Sequence, residues 1–297
     1  MAIAKLFRTM RHLRVSSAFL IAMPGLAVLP VFAADGASQE QQLARAELAK
    51  HPLWQFTEDR FVTLAATAKL DVMELYLKAG MSPNAKDSRG RPAIVAVLAN
   101  GKLFSGSELG SMGHALAKER LAVLEYFLKS GADANLSDGA GITVLHEAAM
   151  YSVFTPAIKP LVKAGAAIDA PERKYNFTPL HLASLGNNVD GVRGLLASGA
   201  RPDSLAKQSV TPLMFALNAG NDAIVDTLLK AGADPLRKTD GGKSCLHFAA
   251  EGASAASIQR LLAKGAAPSA VDGNQKTPLQ LAQEKNRDPA ILALLRQ

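Results

Sequence analysis

Two short signals recur along this chain with one period. Gly-Ala pairs stand at Gly131-Ala132, Gly165-Ala166, Gly199-Ala200, Gly232-Ala233 and Gly265-Ala266, spaced 34, 34, 33 and 33 residues apart. A second series, Thr143-Val144-Leu145, Thr178-Pro179-Leu180, Thr211-Pro212-Leu213, Ser244-Cys245-Leu246 and Thr277-Pro278-Leu279, runs at 35, 33, 33 and 33. Two series locked in phase restrict the fold to a stack of like units, because a unit this short buries its apolar face only against its neighbours.

Each unit carries its own start and stop signals. Thr or Ser caps a first helix by accepting a backbone N–H, and Pro suits the next position, where no intrahelical donor is needed. Ile224, Val225, Leu228 and Leu229 recur at helical spacing in a second helix. The glycine after each second helix suits a left-handed C-cap and leads into a hairpin-like loop. Asn187 and Gly220 fall between the two helices, where residue types that tolerate positive φ are expected. Small alanines let helices approach closely, which accounts for an aromatic content of only 5%.

On these residues the chain resembles the ankyrin-repeat family. The signature Thr-Pro-Leu-His-x-Ala appears as Thr178-Pro179-Leu180-His181-Leu182-Ala183, with degenerate copies at Thr143 to Ala148, Ser244 to Ala249 and Thr277 to Ala282. The resemblance implies an all-α ankyrin-repeat solenoid of about six to seven helix-turn-helix repeats with hairpin-like loops, covering 58–297. It also implies that His146, His181 and His247, all at one motif position, hydrogen-bond backbone between adjacent repeats. Met214 and Gln280 replace that histidine in the other copies.

The irregular stretches are the informative ones. Gly80 to Gly131 exceeds one period by 18 residues, so an insertion at about 102–120 is expected to project between a first helix ending near Asn100-Gly101 and a second over Leu121 to Lys129. A polar helix is expected within 34–57, from Ser38 to Lys50, with Trp54, Phe56 and Phe61 sealing the open face of the first repeat.

Residues 1–33 read as a secretory signal peptide. Lys5, Arg8, Arg11 and Arg14 precede an uncharged apolar run, Val15 to Phe32, and small residues follow, with cleavage expected after Ala33. The expected location is a bacterial periplasm. An uncleaved inner-membrane anchor is the alternative, although Pro24, Gly25 and Pro30 interrupt the run. The formal charge of +7 falls to about +3 once the four leader bases are set aside, which removes the case for a nucleic-acid partner. The one cysteine, Cys245, excludes an intramolecular disulfide scaffold.

No residue pattern calls for a cofactor or a metal. The histidines recur once per repeat, whereas ligands must converge. His146-Glu147-Ala148-Ala149-Met150 has Met150 where a zinc-protease helix needs its second histidine. Gly241-Gly242-Lys243-Ser244 lacks the leading glycine of a phosphate loop, and Ser244 reads as a helix cap. An enzyme site in the insertion, around Glu108, His114, Lys118 and Glu119, has no motif spacing behind it.

What remains is a surface. The resemblance implies that partners meet the hairpin tips and the concave ends of the first helices, which on this chain gives Ile142, Met150, Tyr151, Tyr175, Phe177, Leu185 and Val210. In the later repeats the same positions carry Lys243, Glu251, Lys276, Glu284 and Lys285. The expected function is non-enzymatic binding of another exported protein, as scaffold or accessory factor. An inhibitor that neutralises an exported toxic enzyme is the alternative within the same class.

Overall fold

The computed structural model describes residues 37–67, 69–99 and 110–296. The expected leader and the insertion residues 102–109, Glu108 among them, lie outside the described residues. The unit Ser38–Gln297 opens with α1, Gln39–Ala49. Ser38 and Gln41 close a reciprocal box at its start: the Gln41 N–H donates to Ser38 Oγ at 3.2 Å and the Ser38 N–H to Gln41 Oε1 at 2.8 Å.

Helix pairs follow in chain order, seven among the described residues. They are α2 Glu58–Ala65 with α3 Leu70–Lys78, α4 Ala93–Leu98 with α5 Gly110–Lys129, and α6 Val144–Met150 with α7 Ile158–Lys163. Then come α8 Pro179–Leu185 with α9 Val189–Ala197, α10 Pro212–Ala219 with α11 Asp222–Lys230, α12 Cys245–Gly252 with α13 Ala255–Ala263, and α14 Pro278–Glu284 with α15 Pro289–Leu294. Consecutive first helices pack on one another, as do the second helices, with a 3-10 turn at Ser152–Ala157 leading the second layer of the third repeat.

From the third repeat onward the stack is close because one register holds only alanine, where the first two repeats have Val62 and Val97. Ala148, Ala183, Ala216, Ala249 and Ala282, each five residues after its cap, are buried in the core that runs through all the repeats. Successive hairpins are also tied edge to edge by backbone bonds: Arg173 N–H to Ala140 O at 2.9 Å, Lys207 N–H to Tyr175 O at 2.8 Å, Asp240 N–H to Gln208 O at 3.0 Å and Gly273 N–H to Gly241 O at 2.7 Å. From the third repeat onward, each repeat thus fixes the position of the next hairpin tip.

Two sequence expectations change. Helix α5 begins at Gly110, so the second part of the expected projection is the first half of an extended second helix. Its Ala117 and Arg120 are buried, because the Arg120 guanidinium caps the ends of two other helices, donating to Val97 O at 2.7 Å, Ala99 O at 3.0 Å and Ala66 O. Helix ends expose unpaired carbonyls of partial negative charge, which a buried cation can satisfy. Phe61, expected as part of a lid, is a core residue of α2, ring-stacked on Tyr76 and edge-on to Phe127 at 5.5 Å each. Trp54 is half-buried and Phe56 exposed beside it in sequence.

Candidate protein-binding surface

The motif histidines tie the stack to the face it presents. The backbone N–H groups of Thr143, Thr178 and Ser244 donate to Nδ1 of His146, His181 and His247 at 3.2, 3.1 and 3.0 Å. A backbone amide can only donate, so Nδ1 accepts and the ring proton sits on Nε2. That N–H then donates to the carbonyl oxygens of Phe177, Val210 and Lys276 in the following repeat at 3.1, 3.1 and 3.0 Å. Burial keeps the rings neutral: it pushes His181 down to about 4 and holds His146 and His247 below the ordinary histidine value.

The residues so held come immediately before the next cap, and two of them, Phe177 and Val210, are anticipated binding residues. Phe177 stacks on Tyr175 with ring centroids 5.2 Å apart and on His181 at 5.8 Å. Phe215 from α10 meets Phe177 edge-on at 5.2 Å and His181 at 6.2 Å. Offset and edge-on pairs of this kind hold rings in place beyond simple burial. The result is an aromatic platform shared by two repeats.

The remaining candidates divide by exposure. Tyr175 and Leu185 are 45% and 46% exposed. Ile142 and Met150, in the registers of Phe177 and Leu185 in the preceding repeat, are half-buried, and so is Val210, in the register of Phe177 in the following one. Tyr151 is likewise half-buried, packed against the core. Burial, with the Glu147 carboxylate nearby, raises its phenol above the usual tyrosine value.

Sequence reasoning passed over Phe215 and Glu147, which share one register, the fourth residue after the cap. Leu182, Phe248 and Leu281 fill that register elsewhere. Glu147 is half-buried, and burial pushes its carboxyl up to about 7, with Asp138 adding to the rise and Arg120 opposing it. Toward the C-terminus the face changes character. Lys243 Nζ pairs with Glu251 Oε1 at 2.8 Å, Lys276 Nζ with Glu284 Oε1 at 2.7 Å, and Lys243 also lies over the Phe248 ring at 5.7 Å.

Of the insertion residues weighed for an enzyme site, His114, Lys118 and Glu119 lie exposed along α5, and Glu108 is outside the described residues. Among the described residues no three His, Cys, Asp or Glu side chains converge as metal ligands. Burial pushes the Cys245 thiol up to about 12, far from the thiolate a nucleophile needs. Among the described residues no helix is long and apolar enough to cross a membrane.

Comparison with known proteins agrees with the geometry. The family model for ankyrin repeats (3 copies) matches residues 112–206 and 213–297, more than half of the chain. The ankyrin-repeat domain of Bcl-3, an IkappaB family protein, superimposes with a TM-score of 0.57 at 21% identity, covering 80% of this chain and 97% of that one. A Danio rerio protein bearing the palmitoyltransferase name ZDHHC13 is 35% identical over 106 residues, and the Drosophila melanogaster palmitoyltransferase Hip14 is 34% identical over 82. Those stretches span 36% and 28% of this chain but only 16% and 13% of the two relatives, so the activity in their names stays with them. Repeat period, capping histidines and family match all lead to one statement: the chain belongs to the ankyrin-repeat family, and the repeats form a protein-binding module.

Proposed function

We propose that this chain is an exported, non-enzymatic binding protein that holds another periplasmic protein on the first-helix and hairpin face of its middle repeats, as a scaffold or accessory factor. The observation that carries the reading is the platform of Tyr175, Phe177 and Phe215, with Leu185 exposed on the helix that follows. Rigid aromatic and aliphatic side chains presented together are the usual anchors of protein interfaces. Export rests on the basic, apolar and small-residue succession of the first 33 residues.

The test is cross-linking in living bacterial cells followed by mass spectrometry of the captured species. One protein recovered in stoichiometric amount from the periplasmic fraction, and lost from the Tyr175→Ser and Leu185→Ser variants at unchanged melting temperature, is the expected result. No stoichiometric protein under any growth condition counts against the reading, and retention of the chain in the cytoplasm counts against its export.

A further inference from the structure

The hairpin that presents the platform is unlike its neighbours. Its closing bond runs from the Glu172 N–H to Phe177 O at 2.9 Å and spans five residues. The equivalent bonds, Asp138 to Ile142 at 3.0 Å and Ala206 to Val210, Thr239 to Lys243 and Asp272 to Lys276 at 2.9 Å, span four. The longer loop is closed by Glu, one methylene longer than Asp, and its carboxylate accepts from the N–H groups of Lys174 at 2.6 Å, Tyr175 at 2.5 Å and Phe177 at 3.2 Å. Tyr175 is therefore both exposed and held, which lowers the ordering cost of binding against it.

The charges around the platform are unbalanced in a specific way. Lys174 and Lys207 occupy one register, four residues before the cap, in the two repeats that build the platform. Their neighbours in that register are Gly139, Asp240 and Gly273. The Lys174 ammonium lies over the Tyr175 ring at 4.8 Å, and Lys207 Nζ donates to Lys174 O at 2.5 Å. Among the described residues neither lysine forms an ion pair, whereas Lys243 and Lys276 are each neutralised by a glutamate. The carboxylates beside them are already engaged: Glu172 accepts the N–H groups of its own loop, and Asp240, next along the register from Lys207, accepts from Ser209 Oγ at 2.6 Å.

We infer that the middle repeats bind an extended acidic segment of the partner protein, with an aromatic or aliphatic side chain on the platform and two carboxylates on Lys174 and Lys207. This rests on the protein-binding reading above and adds the chemistry of what is bound. The two lysines stand on hydrogen-bonded neighbouring hairpins, and the Lys207 ammonium reaches the Lys174 carbonyl. The segment accordingly carries two Asp or Glu residues within about three positions of each other, next to its anchor.

The test is selection of displayed random peptides of about twelve residues on the full chain, then titration of the selected peptides by fluorescence anisotropy. The expected consensus pairs an aromatic or aliphatic residue with two acidic ones at that spacing. Affinity should drop about tenfold in Lys174→Glu/Lys207→Glu and in Tyr175→Ser, recover in Tyr175→Phe, and weaken with added salt. Circular dichroism and melting temperature check that the variants fold, and all three sites are exposed.

Selected peptides without acidic residues, or ones that bind the variants as tightly as the parent chain, overturn the inference while leaving the protein-binding reading in place. Tighter binding of a single-stranded oligonucleotide of about twelve nucleotides than of any selected peptide also overturns it. Failure to select any peptide while a partner is still captured in cells overturns the inference alone. Failure of both selection and capture removes the reading beneath it.

Discussion

The third and fourth repeats and the sixth and seventh repeats share one scaffold and present opposite faces. In the residue before the cap and the residue seven after it, the earlier repeats carry Ile142 with Met150 and Phe177 with Leu185. The later ones carry Lys243 with Glu251 and Lys276 with Glu284, each joined by an ion pair. Beneath these side chains the caps and the buried alanines recur in all four repeats, and a histidine bridge leaves the third, fourth and sixth, with Gln280 in its place in the seventh. A repeat therefore separates two tasks by register, stacking in one set of positions and surface chemistry in another.

That separation predicts that a lesion in the stacking positions is equally severe in both regions. A Cβ on Gly252 would stand 1.8 Å from Asn218 O, and one on Gly186 2.2 Å from Met150 O, in each case against the backbone of the preceding first helix. Neither carbonyl can yield without shifting a helix. Gly252→Ala and Gly186→Ala are each expected to cost about 2–4 kcal/mol in urea unfolding, the largest single effects considered. A much smaller loss for one of them would mean that the two regions are stacked differently, and the comparison would break there.

The histidine bridges give a second shared property, a loss of stability in acid. His181 has its pKa pushed to about 4 in the folded chain against the ordinary 6.5, so between those values the unfolded state binds more protons. Its contribution is complete above pH 6.5, falls as pH drops toward 4 and changes no further below that. The span is worth up to about 3 kcal/mol. His146 and His247 shift in the same direction, also by burial. His181→Gln keeps the near-side acceptor, as Gln280 shows by accepting the Thr277 N–H at 2.8 Å, but cannot titrate. Stability profiles between pH 7.5 and 4 should be flatter for that variant than for the parent chain, and an unchanged slope would remove His181 as the cause.

How much of this was written in the sequence follows the same division. Caps, turns and bridging histidines are local and periodic, so Thr178, His181, Asn187 and Gly220 announce their positions directly. Asn187 and Gly220 do adopt positive φ, at 59° and 70°. The extension of α5 to Gly110 was hidden because Gly110 and Gly113 are poor helix formers. Arg120 was hidden because a cation reads as solvent-exposed until the carbonyl ends it caps are known. Phe215 and Glu147 were missed because their register faces the binding surface only once first helices from successive repeats are stacked. Glu172 was the one legible clue to the odd hairpin: the first spacing in the Thr series is 35 rather than 33, and a Glu stands where the second, third and seventh repeats have Asp87, Asp138 and Asp272.

The smallest expected effect is the sharpest test of the difference between the two faces. The Lys243 and Glu251 side chains retain 34% and 20% of their exposure, so water screens their attraction and ordering two long side chains offsets part of it. The cation over Phe248 adds little at a partly exposed site. A double-mutant cycle with Lys243→Met and Glu251→Gln should return a coupling of about 0.5 kcal/mol, falling further in high salt. Such a value makes the pair an occupant of the surface positions rather than a support of the stack, so an apolar pair could replace it with little loss of stability. A coupling above about 2 kcal/mol would mean that the C-terminal repeats depend on charge where the middle repeats depend on packing, and the idea of one scaffold carrying two interchangeable faces would have to be abandoned.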